Sequence, residues 1–245
     1  MTAIDTGGSR QWGIGSVFST TFSIFFGHFV SFVGTALLIL LPSLLFRLAV
    51  PISLFQTILD LFLGQVISVT LIYGTMQALR GRKVAIGECL SEGIKRLGTA
   101  LVVAILAWIA YIVGFVLLIV PGIILMLMWL VAVPAAVVEK TGVSASFARS
   151  SALTRDRRWR ILGIVVLAGV MLIAVNLIVM AAVGAGSGGS FTTFMTRPTA
   201  TLAVVRWIVG SLGAAFFTCL LATLYYALRS DKEGVDINQI ASVFD

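Results

Sequence analysis

Six apolar runs, at about 29–45, 52–79, 97–120, 123–138, 161–183 and 202–228, leave this chain few ways to fold. As helices rising ~1.5 Å per residue they are long enough, or nearly so, to cross a hydrocarbon core about 30 Å thick. Peptide groups inside that core have no water to bond to, so each run is read as a helix. The first run is the exception in length. Its 17 residues reach only about 25 Å, and it is expected to borrow the end of a preceding helix. Composition agrees: 59% of residues are hydrophobic and 11% charged, against roughly 45–50% and about 25% in soluble domains, and the mean hydropathy is +1.09. The expected fold is an all-α membrane protein with six transmembrane helices arranged as three hairpins.

Charge sets the expected orientation. With both termini on one side, the basic residues there number one before the first span, five between the second and third, six between the fourth and fifth and two at the end, which is 14 of 17. Arg47, Arg197 and Arg206 are the remainder. Basic residues accumulate on the cytoplasmic side of membrane proteins, so both termini are expected to be cytoplasmic and the chain multi-pass. The net charge of +7 would suggest nucleic acid in a soluble protein. Interleaved with membrane spans, it points to anionic lipid instead, and no nucleic-acid partner is expected. Residues 1–13, polar and glycine-rich without a cleavage motif, read as a disordered cytoplasmic lead.

A pattern recurs between the spans. Ile14, Phe18, Phe22 and Phe25 lie at spacings of four, four and three, and so do Ile86, Leu90, Ile94 and Leu97; Val143 and Phe147 begin a third such stripe. Each reads as an interfacial amphipathic helix before a hairpin. LRGRKVAIGECL, VVEKTGVSASFA and LRSDKEGVDINQI share the order of span, charges, glycine and amphipathic segment. The single membrane domain, 14–228, therefore divides into units at about 14–79, 86–138 and 143–228. A pseudo-threefold bundle or a linear series would both accommodate them. Residues 229–245 form an amphipathic cytoplasmic tail with Ile237, Ile240 and Phe244 on one face. Pro121 and Gly122 are expected to make the tight turn between the third and fourth spans. Pro134, inside the fourth, removes a bond to the Leu130 carbonyl, so a kink is expected there, either for packing or as the lining of a polar path.

The stretch from Pro121 to Arg160 carries the sharpest local signal. Arg149, Arg155, Arg157, Arg158 and Arg160 surround Trp159 immediately before a new apolar run. Guanidinium groups for phosphate and an indole for the interface are the chemistry of a lipid headgroup boundary or of a partner contact. The segments PGIILMLMWLVAVPAAVVEK, SFARSSALTRDRRWRILG and LYYALRSDKEGVDI also resemble a bacterial group of six-span membrane proteins that includes the membrane domain of glycerophosphoryl diester phosphodiesterase. The resemblance covers nearly the whole chain. It implies a membrane module without the hydrolase, whose catalytic domain is a separate soluble unit with no counterpart here. Members of that group often carry a basic residue where Met128 stands and an acidic one at Ala227, so a function resting on those groups would be lost.

No enzyme signature stands out, and no cofactor is expected. His28 is the single histidine, which excludes a two-histidine zinc motif and is read as structural. The run GAGSGG at 184–189 matches a dinucleotide fingerprint only formally, since it follows a span and no strand. Cys89 and Cys219 suggest neither a disulfide framework nor a metal site. Polar residues within the spans are the remaining candidates: Asp60, Gln65, Asn176 and Arg206. Asp60 and Arg206 fall at comparable depths and are candidates for an ion pair, with snorkelling of Arg206 to the interface as the rival. Glycines at Gly64 and Gly210 are expected to allow close helix packing. Two function classes stay open: a non-enzymatic scaffold or accessory subunit whose basic surface contacts anionic lipid, a membrane-protein partner or a second copy, which is favoured because the spans hold too few polar residues for a coupling-ion site, and, as the alternative, a transporter or lipid-handling protein using a path lined by the kinked fourth span and intramembrane polar residues.

Overall fold

A computed structural model describes residues 13–49, 54–82, 84–186 and 200–234. They form α1 (Ile14–Gly27), α2 (Phe29–Ala49), α3 (Leu54–Leu79), α4 (Ile86–Leu117), α5 (Ile119–Trp129), α6 (Ala132–Glu139), α7 (Val143–Thr154), α8 (Arg158–Gly186) and α9 (Ala200–Glu233). Six segments are long and apolar enough to cross a membrane: α2, α3, α4, α5 continued by α6, α8 and α9. The chain is an all-α membrane protein with six candidate spans.

The helices do not pack as three equivalent hairpins. α2 lies on α3 and α4 on α5, but α8 touches α9, α5 and α1 only lightly. α9 instead packs mainly on α2, α3 and α1, and it also meets α6, α7 and α8. Its sequence allows this, because buried residues recur along its length: Ser211, Ala215, Phe216, Cys219, Leu220, Ala222, Leu224, Tyr225 and Leu228. α8 is apolar on every face, so hydrocarbon can solvate most of its surface. Val166, Val170, Ile173, Leu177 and Ile178 are exposed on it, and so is the Asn176 amide.

The amphipathic segments behave in three ways. α1 presents Val17, Phe18, Thr21 and Phe25 to the protein interior. Phe25 meets Phe216 of α9 edge-on at 5.5 Å, and Phe22 packs on the same ring at 5.2 Å. From Phe18 to Phe25 its apolar stripe is therefore turned to protein, while Ile14 stays exposed. The segment at 86–97 is not a separate helix, because it runs unbroken into the third span within the 32 residues of α4. α7 is separate, ending in a turn where Asp156 adopts a positive φ of 69°. At the other end of the chain α9 continues through 229–233, so those residues belong to the sixth-span helix. Ile237, Ile240, Phe244 and the 1–12 lead lie outside the described residues.

The turn between α4 and α5 also differs from the expectation. It falls at Leu118, whose backbone is extended (φ −164°, ψ 146°), and Pro121 is already the third residue of α5. A proline in the first helical turn loses no intrahelical bond, which is why the helix can start before it. Gly122 serves close approach: a β-carbon there would lie 2.8 Å from the Phe115 ring and 2.9 Å from the Phe115 backbone nitrogen. Gly93 is held similarly against the Thr70 backbone, at 3.1 Å. Gly64 and Gly210, expected to be packing glycines, face open space instead.

Candidate functional sites

The fourth span is interrupted at Leu130 and Val131, between α5 and α6. Pro134 stands in the first turn of α6, so no N–H is available there to carry the ladder back to Leu130. An interruption inside a membrane leaves carbonyls that need donors. α7 supplies one: the Ser150 hydroxyl donates to the Met128 carbonyl at 2.8 Å, and the Thr154 hydroxyl, whose nearest acceptor is the Ser150 carbonyl at 2.9 Å, lies 3.3 Å from the same oxygen. The weakness of α7 as an apolar stripe thus has a physical reason, since its inner face carries hydroxyls that satisfy the broken span.

Just beyond the interruption α6 ends in Glu139, and this carboxylate centres a charged cluster. Its Oε1 accepts from Arg149 Nε at 2.6 Å and from the Tyr225 hydroxyl at 2.6 Å, and its Oε2 lies 2.9 Å from Arg149 Nε. Arg149 reaches on to Glu233, and Arg229 Nε donates to the same Glu233 at 3.0 Å. Two carboxylates, two guanidiniums and a phenol thereby tie α6, α7 and α9 together. Burial acts to lower the Arg149 guanidinium pKa, but the bonds and charges of Glu139 and Glu233 reverse this and hold it above the ordinary arginine value. The same end of the bundle carries Arg157 on Asp231 at 2.9 Å, and Lys232 donating to the Ala152 carbonyl at 2.6 Å.

Of the residues expected to meet lipid headgroups or a partner, Arg149 and Arg157 are thus engaged with carboxylates of their own chain. Arg155 is exposed, Arg158 and Arg160 are half-buried, and Trp159 is 85% exposed. The surface left to face a bilayer boundary is smaller than the sequence suggested, and Trp159 is its centre.

A cavity of about 740 Å³ lies beside the interrupted span. Trp129, Leu130, Val133 and Pro134 form one wall, Trp108 and Tyr111 of α4 another, and Val165 of the loosely packed α8 a third. Its inner side carries Gln65 and Ser68 of α3 with Thr218 of α9. The Gln65 Oε1 is buried without a hydrogen-bond partner.

A second, smaller cavity of about 250 Å³ is framed by α2, α3 and α9. Asp60 and Arg206 both line it, as do Arg47 and Trp207. The carboxylate of Asp60 takes its ion pair from Arg47, at 2.5 Å across the α2–α3 hairpin. Ser43 donates to its other oxygen, and Gln56 Nε2 lies 3.3 Å from that oxygen.

His28 is the C-cap of α1 and marks the hinge into α2, with its Nδ1 3.3 Å from the Ile24 carbonyl. Cys89 and Cys219 are both buried free thiols. No family model matches the chain, and no curated protein or solved structure does either. The likeness to the membrane domain of glycerophosphoryl diester phosphodiesterase rests on the residues quoted above alone.

Proposed function

We propose that this integral membrane protein handles lipid, holding the hydrocarbon part of an amphipathic molecule in the cavity beside the interrupted fourth span. One observation carries the reading: a cavity of about 740 Å³, within the ~300–1,000 Å³ typical of ligand sites, with an apolar and aromatic lining and a few convergent polar groups. Acyl chains surround such a site in any bilayer. Light packing of α8 gives them a lateral way in, and the Gln65 amide and the hydroxyls of Ser68 and Thr218 offer partners for a glycerol or ester group. No covalent step is assigned to the site.

Filling the cavity tests this. Val133→Phe and Leu221→Phe together should reduce the lipid that survives detergent purification about tenfold, equivalent to about 1.4 kcal/mol of binding. The apparent melting temperature should hold, because both positions border empty volume. Native mass spectrometry of the purified protein reads the outcome, and a filled variant retaining the wild-type complement of lipid refutes the assignment.

A scaffold or accessory role is the second reading, favoured by Trp159, whose indole is 85% exposed at the start of α8 and adjoins the cationic run 155–160. Such an indole suits the headgroup level of a membrane or the surface of a partner. Both readings take the protein to be in a bacterial inner membrane with cytoplasmic termini. Reporters fused after Lys83, Lys140 and Arg229 are then expected to report cytoplasm, and one inserted near Gly188 the opposite side. An external signal after Lys140 would overturn that topology.

A further inference from the structure

We propose that the smaller cavity, between α2, α3 and α9, is a binding site for a phosphate-class anion, held by Arg206, Arg47 and the Trp207 indole N–H. Three features support it independently of the larger cavity.

The first is charge. Among the described residues, two guanidiniums and one carboxylate line the cavity, a net charge of +1. No acidic residue other than Asp60 occurs between Asp5 and Glu88, and none occurs between Asp156 and Asp231. The lengths of α2, α3 and α9 facing this cavity therefore supply a single negative charge. The second is saturation of that charge. Asp60 is engaged through both oxygens by Arg47, Ser43 and Gln56, so it forms a neutral unit with Arg47 and repels an incoming anion less than its position suggests. The third is an open donor: Trp207 lines the cavity, and its Nε1 is buried with no acceptor. A buried N–H without a partner costs about 1–3 kcal/mol, and an oxyanion would remove that cost while bridging to the guanidiniums.

The remaining wall chooses the kind of anion. Leu40, Leu44 and Ile67 make the other side apolar, so the cavity suits a phosphate ester with carbon attached better than a hydrated ion. Its volume of about 250 Å³ is below the usual ligand range of about 300–1,000 Å³. It takes a headgroup and the first atoms behind it. Guanidiniums recognise phosphate through charge-assisted, often bidentate, hydrogen bonds. A lipid phosphodiester and free phosphate share this chemistry.

The test uses the full chain in a neutral detergent, with the shift in melting temperature on adding phosphatidylglycerol, phosphatidylcholine or inorganic phosphate as the readout. Wild type should be stabilised by phosphatidylglycerol over phosphatidylcholine, and Arg206→Gln should raise the concentration needed about tenfold. Trp207→Phe, which keeps the ring and removes the donor, should raise it by a smaller factor. Arg47 is left intact because its loss would unbalance Asp60. If Arg206→Gln fails to accumulate, Trp207→Phe alone decides. Stabilisation by phosphatidylglycerol alone identifies a lipid headgroup. Equal stabilisation by inorganic phosphate, with the same dependence on Arg206 and Trp207, identifies a free anion; both support the site. No stabilisation by any anion, or one that both variants retain in full, overturns it. The cavity-filling variant Val133→Phe, Leu221→Phe should keep the response, which separates failure here from failure of the lipid-handling reading.

Discussion

Replacing Glu139 with glutamine should cost this protein on the order of 3 kcal/mol of stability. The side chain is 14% exposed, and glutamine keeps its shape while removing its charge. Arg149 and Arg229 would then share one carboxylate, Glu233, and the Tyr225 hydroxyl would lose an ionised acceptor at 2.6 Å. Breaking one partner out of a buried ion pair typically costs about 3–5 kcal/mol, and partial exposure of Arg149 brings the expectation to the lower end. Arg149→Gln should behave similarly. The double variant should recover part of the loss, because the cluster regains electrical balance. Thermal unfolding in detergent measures all three proteins. Strictly additive losses, or a Glu139→Gln protein as stable as wild type, would mean that the cluster is solvated charge that does not bind α6, α7 and α9 together.

Gly122→Val should open the α4–α5 hairpin. A β-carbon at Gly122 would sit 2.9 Å from the Phe115 backbone nitrogen, and one at Gly114 would sit 3.0 Å from the Gly122 α-carbon. Backbone cannot rotate out of the way as a side chain can, so the two helices must separate. Overpacking of this kind costs about 1–3 kcal/mol and sometimes more. The larger cavity shares Phe115 with this contact, so lipid retention should fall together with stability. Gly64→Ala provides the matched control, since nothing lies within 4 Å of a β-carbon there. It should be neutral or slightly stabilising through the better helix propensity of alanine. Equal melting temperatures for Gly122→Val and wild type would show that the close approach is not needed.

Parts of the charged cluster were legible in the sequence. Tyr225, Arg229 and Glu233 recur every four residues, which places them on one helical face, and Glu139 ends an apolar run that must leave the membrane there. The partner of that face was not legible. Arg149 lies 10 residues beyond Glu139 and 84 before Glu233, and only the turn at Lys140 (φ 55°), which folds α7 back under the broken span, brings the three together. The partner of Asp60 was hidden for a similar reason. Depth along the chain suggested Arg206, whereas Arg47 is nearer across the α2–α3 hairpin and holds the ion pair. Spacing reports which residues share a face but not which neighbour that face will meet.

What the amino-acid sequence determined by itself was the solvent, the element type and the number of spans. Runs of apolar residues long enough to cross hydrocarbon can satisfy their peptide groups there as helices, whatever their neighbours do. It also located the weak point of the fourth span, because the missing N–H of Pro134 is a local covalent fact. Only the tertiary structure decided that α9 is the central helix and that α8 stands at the edge. The same holds for the amphipathic face of α1, which meets Phe216, and for the two cavities. In a bilayer an apolar face is equally well solvated by lipid and by another helix, so hydrophobicity carries little information about which face turns inward. That choice is made by close fit and polar pairing between segments far apart in the chain, which no single run of residues records.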